Sequence, residues 1–382
     1  MGTHTRHPLL DVRDAMNGDT DRFTTEFYAR LFGAHPELRD LFPAELTTQK
    51  AALLSVLDHV LATVPDAATH EQLVQVLAQL GRDHRKYGVE ERHYGWFFEA
   101  LMRQFAATMG REWDDEYSAV TTQAMMLTTG VMRGAAQSTT DPPMWQARVV
   151  EKFRISRDIA VIRLLADQPL RYRAGQYLEV QIPQWPRLWR DLSPALPPNP
   201  DGQLEFHVRS VPRGTVSQSM VTETAVGDVW ALAQSHGTLH VDTDRPVLML
   251  AGGTGLAPLR ALLLQMARRA DAPSTHVFYG ARSPGELYEL PMLRQLTATN
   301  PWLRVVGVVE SDEDPWWLRT SNDPAALGVD VVNGTVVGAA LAAGDWSGHQ
   351  VLVAGPPEMI DVTRERLLRA GVPEDLIRHD PV

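Results

Sequence analysis

Apolar residues recur at helical spacing through the first third of the chain, in FTTEFYARLF (23–32), TTQKAALLSVLDHVLATV (47–64), THEQLVQVLAQLGRDHRKYG (69–88), RHYGWFFEALMRQFAATMG (92–110) and DEYSAVTTQAMMLTTGVMRGAA (115–136). Each stretch predicts an amphipathic helix. Pro36, Pro43 and Pro65 fall only between them, Thr69 stands at an N-cap position, and Gly88 and Gly110 sit where helices should stop. After the polar, proline-bearing connector STTDPPMWQ (138–146) the period changes to two: ARVVEKFRI (147–155), IAVIRLLA (159–166), QYLEVQIP (176–183) and LEFHVRSV (204–211) predict strands of an antiparallel barrel. From Arg245 the strands PVLMLAGG (246–253), THVFYGAR (275–282), LRVVGVVE (303–310) and QVLVAGPP (350–357) alternate with helical runs such as APLRALLLQMARRA (257–270). That alternation predicts a doubly wound α/β parallel sheet. The expected order is an all-α domain over 1–138, a connector at 139–146, an antiparallel β-barrel over 147–244 and an α/β domain over 245–382. No internal repeat is present.

Composition narrows the function classes. With 44% hydrophobic and 22% charged residues the 382-residue chain reads as globular, and its net charge of −11 gives nucleic-acid binding little electrostatic support. Cysteine is absent, which excludes disulfides, thiolate metal sites, iron–sulfur clusters and a cysteine nucleophile. The amino terminus, MGTHTRHPLLDVRD, lacks a signal-peptide pattern, and no apolar run is long enough for a membrane span. A cytoplasmic location is the expectation.

The strongest chemical signal is LAGGTGLAPL, which ends a buried strand and opens a helix. Gly252, Gly253, Thr254 and Gly255 form a turn that lets a phosphate approach the backbone, and Pro258 suits a first helical position. Pro258 replaces the third glycine of the usual dinucleotide fingerprint, so the turn alone leaves a nucleotide site and a tight βα turn open. WRDLSPALPP and EFHVRSVPRGTVSQSM, downstream of AGQYLEVQIP, then resemble the flavin barrel of the ferredoxin–NADP reductase superfamily. The resemblance puts Arg190 on the flavin diphosphate, where a guanidinium fork suits the anion. It puts Ser193 at the isoalloxazine edge, Gln176, Tyr177 and Leu192 among the flavin contacts, and Gly214, Val216 and Ser217 in a second diphosphate loop that favours FAD. AGPPEM, with Gly355 and Pro356, resembles the nicotinamide-side motif of the same superfamily. Leu192 replaces the motif's aromatic residue, Ala354 stands where many members have cysteine, and no late aromatic residue is available to cover the flavin ring.

A reductase needs an electron acceptor, and the helical domain in front of it resembles a globin. EFYARLF, ELRDLF, TTQKAALL and RDHRKYG follow the order of a globin's second, third, fifth and sixth helices, so the whole chain resembles a flavohaemoglobin. His84 on its own reads more readily as a structural or solvent-facing histidine than as a ligand; the resemblance makes it the proximal iron ligand, in preference to His59 and His93. It makes Tyr28 and Gln49 the distal hydrogen-bonding pair, Phe42 and Leu53 haem contacts, and Tyr94 a residue of the proximal side. The glutamate that family members carry in the last globin helix has no counterpart in MMLTTGVMRGAAQST, and Glu112, Asp114, Asp115 and Glu116 read as charges favouring the start of that helix. The implied cofactors are haem b, FAD and NADH or NADPH, with Arg282 and Ser283 as candidates for a 2′-phosphate and a slight lean to NADH. The implied activity is nitric oxide dioxygenation: NAD(P)H reduces FAD, FAD reduces the haem iron, and the oxygenated ferrous haem converts nitric oxide to nitrate. Dioxygen and nitric oxide are then the substrates, and a reductase in cis makes an obligate protein partner unnecessary. Flavin-linked oxidation of a small acid, hydroperoxide reduction and oxygen sensing stand as alternatives.

Overall fold

The computed structural model describes residues 6–66, 69–311, 313–315 and 328–380, and the chain divides into two compact units, Met1–Met144 and Trp145–Val382. The first is all helical: α1 (Pro8–Gly18), α2 (Thr20–Ala34), a 3-10 segment (Pro36–Leu41), α3 (Thr47–Thr63), α4 (His70–His84), α5 (Glu91–Met109) and α6 (Asp115–Ser138). The start of α1 is set by Pro8 and by His7, whose Nδ1 accepts from the Leu9 amide at 3.2 Å. Asp114 caps α6 by accepting from the Glu116 and Tyr117 amides, so this part of the acidic run is consumed at the helix start. Thr69 occupies the N-cap of α4 without capping it; its hydroxyl donates instead to the Thr63 and Asp66 carbonyls. Buried Leu73, Leu77 and Gly81 recur every fourth residue along α4 and aim that stripe at the core. A Cβ at Gly81 would collide with the main chain of Met132 on α6. The absence of a side chain there lets the two helices approach closely, one turn before the end of α4.

In the second unit, β1 (Trp145–Arg154), β2 (Ile159–Ala166), β3 (Tyr177–Gln181), β4 (Arg190–Leu192), β5 (Gln203–Arg209) and β6 (Val229–His236), with α7 (Thr215–Thr222), form an antiparallel sheet in the order β4-β3-β6-β1-β2-β5. The two edges meet through a bridge between Pro194 and Phe206, beside which the Ala195 amide donates to the Glu205 carbonyl at 2.7 Å. The barrel expected from the alternation is therefore closed, which removes its exposed edges. The remaining elements are β7 (Val247–Gly252), α8 (Leu256–Met266), β8 (Thr275–Ala281), α9 (Leu290–Thr299), β9 (Leu303–Val309), β10 (Asp330–Asn333), α10 (Val336–Ala343), β11 (Gln350–Ala354), α11 (Pro357–Arg369) and β12 (Ile377–Arg378). Their strands pair in parallel in the order β10-β9-β8-β7-β11-β12. Pro258 is the third residue of α8, not the first, and remains within the turn where no intrahelical donor is needed. Among the described residues no helix is long and apolar enough to cross a membrane.

A buried ionic cluster joins barrel to sheet within this unit. Glu205, His207 and Arg209 alternate along β5 and so share one face. Arg260 of α8 donates to Glu289 at 3.0 Å and to the Ala195 carbonyl at 2.7 Å, and its guanidinium forms an ion pair with Glu205 at 3.0 Å. Arg163 of β2 holds the other Glu205 oxygen at 2.7 Å. The Nε2 of His207 lies 3.1 Å from Glu205, and its Nδ1 lies 3.1 Å from the Tyr288 hydroxyl. A carboxylate only accepts, so Nε2 carries the proton and donates; in the neutral ring Nδ1 then accepts from Tyr288. Burial on its own would push Glu205 up, but the hydrogen bond from His207 and the charges of Arg260 and Arg163 prevail and hold its carboxyl at about 2.

Two stability measurements check these contacts. Gly81→Ala should cost about 1–3 kcal/mol, because α4 must move off Met132. Gly95→Ala, whose new methyl meets nothing within 4 Å, should be neutral or stabilising by about 0.5–1 kcal/mol in the same urea titration. Glu205 has a folded value depressed from the ordinary 4.5 to about 2, so its contribution is complete above pH 4.5 and is lost as pH falls toward 2. That component, roughly 3 kcal/mol, should separate the acid limbs of wild type and Glu205→Gln in urea titrations run from pH 6 to pH 2. Parallel limbs would show that the carboxylate is not held as the geometry requires.

Candidate functional site

A cleft of about 820 Å³ opens between barrel and sheet in the second unit. Its floor is the switch point of the parallel sheet: from β7 the strand order runs one way through β8 and β9 and the other way to β11. Gly253, Thr254 and Gly255 follow β7, Gly355 and Pro356 follow β11, and all five line the cleft. A Cβ at Gly255 would lie 2.5 Å from the Ala354 carbonyl oxygen, so glycine there is what lets the two loops touch. The short helical turn Gly253–Gly255 runs directly into α8, leaving amides at a helix start turned toward the cleft end of the strand, an arrangement suited to a phosphate. Arg282, just past β8, lines the same wall beside Glu310, and the backbone of the two strand ends is tied by the Ser311 amide donating to the Arg282 carbonyl at 2.9 Å. Ser283 is buried and its Oγ has no hydrogen-bond partner, so it does not share the cleft with Arg282.

The barrel contributes Tyr177, Leu192 and Ser193 to the wall; Tyr177 stacks on His236 at 5.6 Å. Other residues singled out from the sequence stand elsewhere. The side chain of Gln176 closes its own turn by accepting from the Arg173 amide at 2.8 Å. Arg190 is exposed on β4 with its Nη1 donating to the Trp189 carbonyl. Gly214 caps α7, Ser217 donates back to the Gly214 carbonyl at 2.9 Å, and Val216 is fully buried, so this loop offers backbone amides and one hydroxyl at a helix start. Sequence reasoning overlooked His207, Arg209 and Asp380, all of which line the cleft. The first two carried a signal, polar residues alternating along the buried strand EFHVR. Asp380 carried none: it is brought in by the chain after β12 and accepts from the Thr238 amide at 2.8 Å, with burial raising its carboxyl above the usual range.

In the first unit, Tyr28 on α2 is buried with its ring 5.7 Å from Phe42 and 5.6 Å from Phe32. Burial pushes its hydroxyl well above the ordinary 10 and keeps it a donor. Gln49 and Leu53 are half-buried one turn apart on α3, and the Gln49 Oε1 is enclosed without a hydrogen-bond partner. His84 ends α4 with Nδ1 2.7 Å from the Leu80 carbonyl. A carbonyl only accepts, so Nδ1 carries the proton and the neutral ring keeps its coordinating lone pair on Nε2. An iron-ligating imidazole needs that tautomer. His93 is committed elsewhere: its Nδ1 accepts from the Glu90 amide at 3.0 Å in a capping box. His59 is exposed, with Nδ1 3.5 Å from the Thr63 hydroxyl. Tyr94 is buried on α5 and its hydroxyl is pushed up by burial. The orphaned Gln49 oxygen, the aromatic group around Tyr28 and the His84 tautomer together fit a haem.

Three family models match the chain in order: Globin over 25–132, Oxidoreductase FAD-binding domain over 146–241 and Oxidoreductase NAD-binding domain over 249–365. The chain is 29% identical over 230 residues to the Phenol hydroxylase P5 protein of Acinetobacter pittii, covering 59% of this chain and 62% of that protein. It is 30% identical over 237 residues to the Ferredoxin–NAD(P)(+) reductase CarAd of Metapseudomonas resinovorans, covering 62% of this chain and 68% of that one. The chain thus spans about two thirds of the length of these curated relatives. The crystal structure of the flavohaemoglobin of Malassezia yamatoensis, with bound FAD and haem, shares the fold over 98% of both chains at a TM-score of 0.67 and 16% identity. The chain is therefore an NAD(P)H- and FAD-dependent oxidoreductase with a haem-binding globin domain. Its second unit belongs to the ferredoxin–NAD(P)+ reductase family, and the whole is a globin–reductase fusion with the flavohaemoglobin architecture.

Proposed function

We propose that the protein is a cytoplasmic nitric oxide dioxygenase, with dioxygen and nitric oxide as substrates, no obligate protein partner, and domain limits at 1–138, 147–244 and 245–382. Bound FAD converts hydride equivalents to single electrons, and bound haem supplies the iron at which dioxygen and nitric oxide react. The observation that carries the proposal is the polar pair of the globin pocket, Tyr28 and Gln49. The buried Tyr28 hydroxyl stays protonated, so it can donate to an oxygen atom bearing negative charge. The Gln49 Oε1 is enclosed without a hydrogen-bond partner; with the amide turned, its NH2 would stand there as a second donor. Phe42, whose ring lies 5.7 Å from that of Tyr28, and Leu53 would bound the haem pocket with apolar surface. On the other side His84 gives its Nδ1 proton to the Leu80 carbonyl, a weaker acceptor than a carboxylate, so the ring is less electron-donating than a carboxylate-paired one. That argues against hydroperoxide reduction, which depends on a strong push from the proximal side, and favours a reaction carried by the distal donors.

In the reductase, the amides at Gly253–Gly255 and at the start of α7 would hold nucleotide phosphates, with Arg190 and Ser193 on the flavin and Gly355 and Pro356 against the nicotinamide. We take NADH as the preferred donor, since Glu310 lines the wall with Arg282 while Ser283 is buried away from it. A carboxylate beside Arg282 repels a 2′-phosphate.

The reduced protein mixed rapidly with nitric oxide in aerated buffer should form nitrate stoichiometrically, and NADH should sustain turnover. If nitric oxide survives the mixing, the proposal fails. Tyr28→Phe should slow nitric oxide consumption about ten- to a hundredfold. His84→Ala should lose the Soret band; retention of an unchanged spectrum would refute the ligand assignment. NADH oxidation should exceed NADPH oxidation in kcat/KM, and Glu310→Ala should narrow the ratio by about tenfold.

A further inference from the structure

The flavin barrel closes at one narrow seam. Among the described residues the edge beyond β4 meets β5 through the single bridge Pro194–Phe206, where the Ala195 amide donates to the Glu205 carbonyl at 2.7 Å. β2 and β5, by contrast, share seven register pairs, so the seam is where the barrel opens most readily. Leu192 and Ser193, which line the cleft, stand immediately before it. Two side chains reinforce the seam. Tyr172, from within the barrel, donates to the Leu196 carbonyl at 3.0 Å. Arg260 reaches in from α8: its Nη1 donates to the Ala195 carbonyl on one side of the seam at 2.7 Å and pairs with the Glu205 carboxylate on the other at 3.0 Å. Its Nε is held by Glu289 at 3.0 Å, and the residue is only 9% exposed. A planar, buried guanidinium meets all three partners in one arrangement, so the place of α8 and the closure of the seam are tied together.

α8 follows directly on the Gly253–Gly255 turn; Ala257 and Pro258 at its start line the cleft, and Arg260 stands within the next turn. A diphosphate held by the amides of that turn would restrain the start of the helix, and with it the guanidinium. We propose that Arg260 is a positioning residue that couples the two nucleotide sites: a nucleotide diphosphate at the Gly253–Gly255 turn favours the closed seam and thereby tightens FAD. The coupling rests on the reading of that turn as a phosphate site, and it is reciprocal, so FAD tightens the second nucleotide by the same factor. The flavin is then held most firmly when the nucleotide of the hydride donor is in place.

The test uses the full-length haem- and FAD-loaded protein, diluted serially with and without saturating ADP-ribose, with released flavin read by its fluorescence. ADP-ribose carries the diphosphate but no nicotinamide, so it cannot stack on the flavin ring; its own binding is followed calorimetrically. ADP-ribose should lower the FAD dissociation constant about fivefold. Arg260→Gln should weaken FAD binding and bring that factor to about one, and Arg260→Lys, which keeps the charge but not the fork, should recover only part of it. Tyr172→Phe should also weaken FAD binding yet keep the factor, because its tie does not run through α8. Should Arg260→Gln fail to fold, Glu289→Gln loosens the same guanidinium and should roughly halve the factor. A factor that survives in Arg260→Gln, or that Tyr172→Phe abolishes equally, would show that Arg260 only stabilises the barrel and overturns the proposal. If ADP-ribose binds but leaves FAD affinity unchanged or weakened, the coupling alone is refuted. If ADP-ribose does not bind, the phosphate reading of the turn falls and the coupling with it.

Discussion

The reductase cleft depends on one buried carboxylate. Glu205 accepts from Arg163 on its own barrel and from His207 on its own strand, and pairs by charge with Arg260 on the first helix of the parallel sheet. Removing any one donor leaves an enclosed charge under-compensated, which is why such clusters are more costly to break than their net contribution suggests. Arg260 also holds Glu289 and the Ala195 carbonyl, and Ala195 follows Ser193 by two residues. The segment expected to face the flavin is therefore fixed by a guanidinium that belongs to the nucleotide-binding half. Barrel and sheet meet through directional contacts to a buried carboxylate as well as through apolar packing.

The helical unit uses geometry where the reductase uses charge. Gly81 brings α4 against the main chain of Met132, and His84 follows three residues later, at the last helical position. One turn back, the Leu80 carbonyl has a second lone pair beyond the intrahelical bond, and the imidazole takes it. The tautomer required for coordination thus comes from the helix backbone and needs no carboxylate from α6. A chain lacking that carboxylate can still orient its ligand; what it gives up is basicity.

The fold was legible because period and punctuation agreed. Helical spacing, then alternation, then strand–helix alternation separated by proline and glycine is what three kinds of core require, and the strands with two buried faces were the plainest. The short strand β4 was missed because its three residues, Arg190–Leu192, are exposed or half-buried and carry no alternation, and β12, only two residues long, carries no period at all. Backbone-defined parts of the site were legible too: Gly253, Gly255, Gly355 and Pro356 are dictated by turns and close approach. Parts defined by side chains from distant segments were not. Thr69 shows the limit of local rules, since its hydroxyl had a better acceptor in the Asp66 carbonyl than its position implied. Asp380 shows the limit of motif reasoning, because only the path of the chain after β12 brings it to the cleft.

Acidic side chains in that cleft bear on the electrostatics of the reductase. Asp191, Glu286 and Asp380 line the same space as the expected flavin and nicotinamide sites, facing Arg209 and Arg282. Glu286 is paired with Arg209 at 3.4 Å, and burial keeps Asp380 readier to hold a proton than an ordinary aspartate. An ionised carboxyl beside a bound flavin would oppose electron uptake by a ring that gains negative charge on reduction, so pairing with Arg209 and burial both act to lessen the negative charge that these side chains set against it.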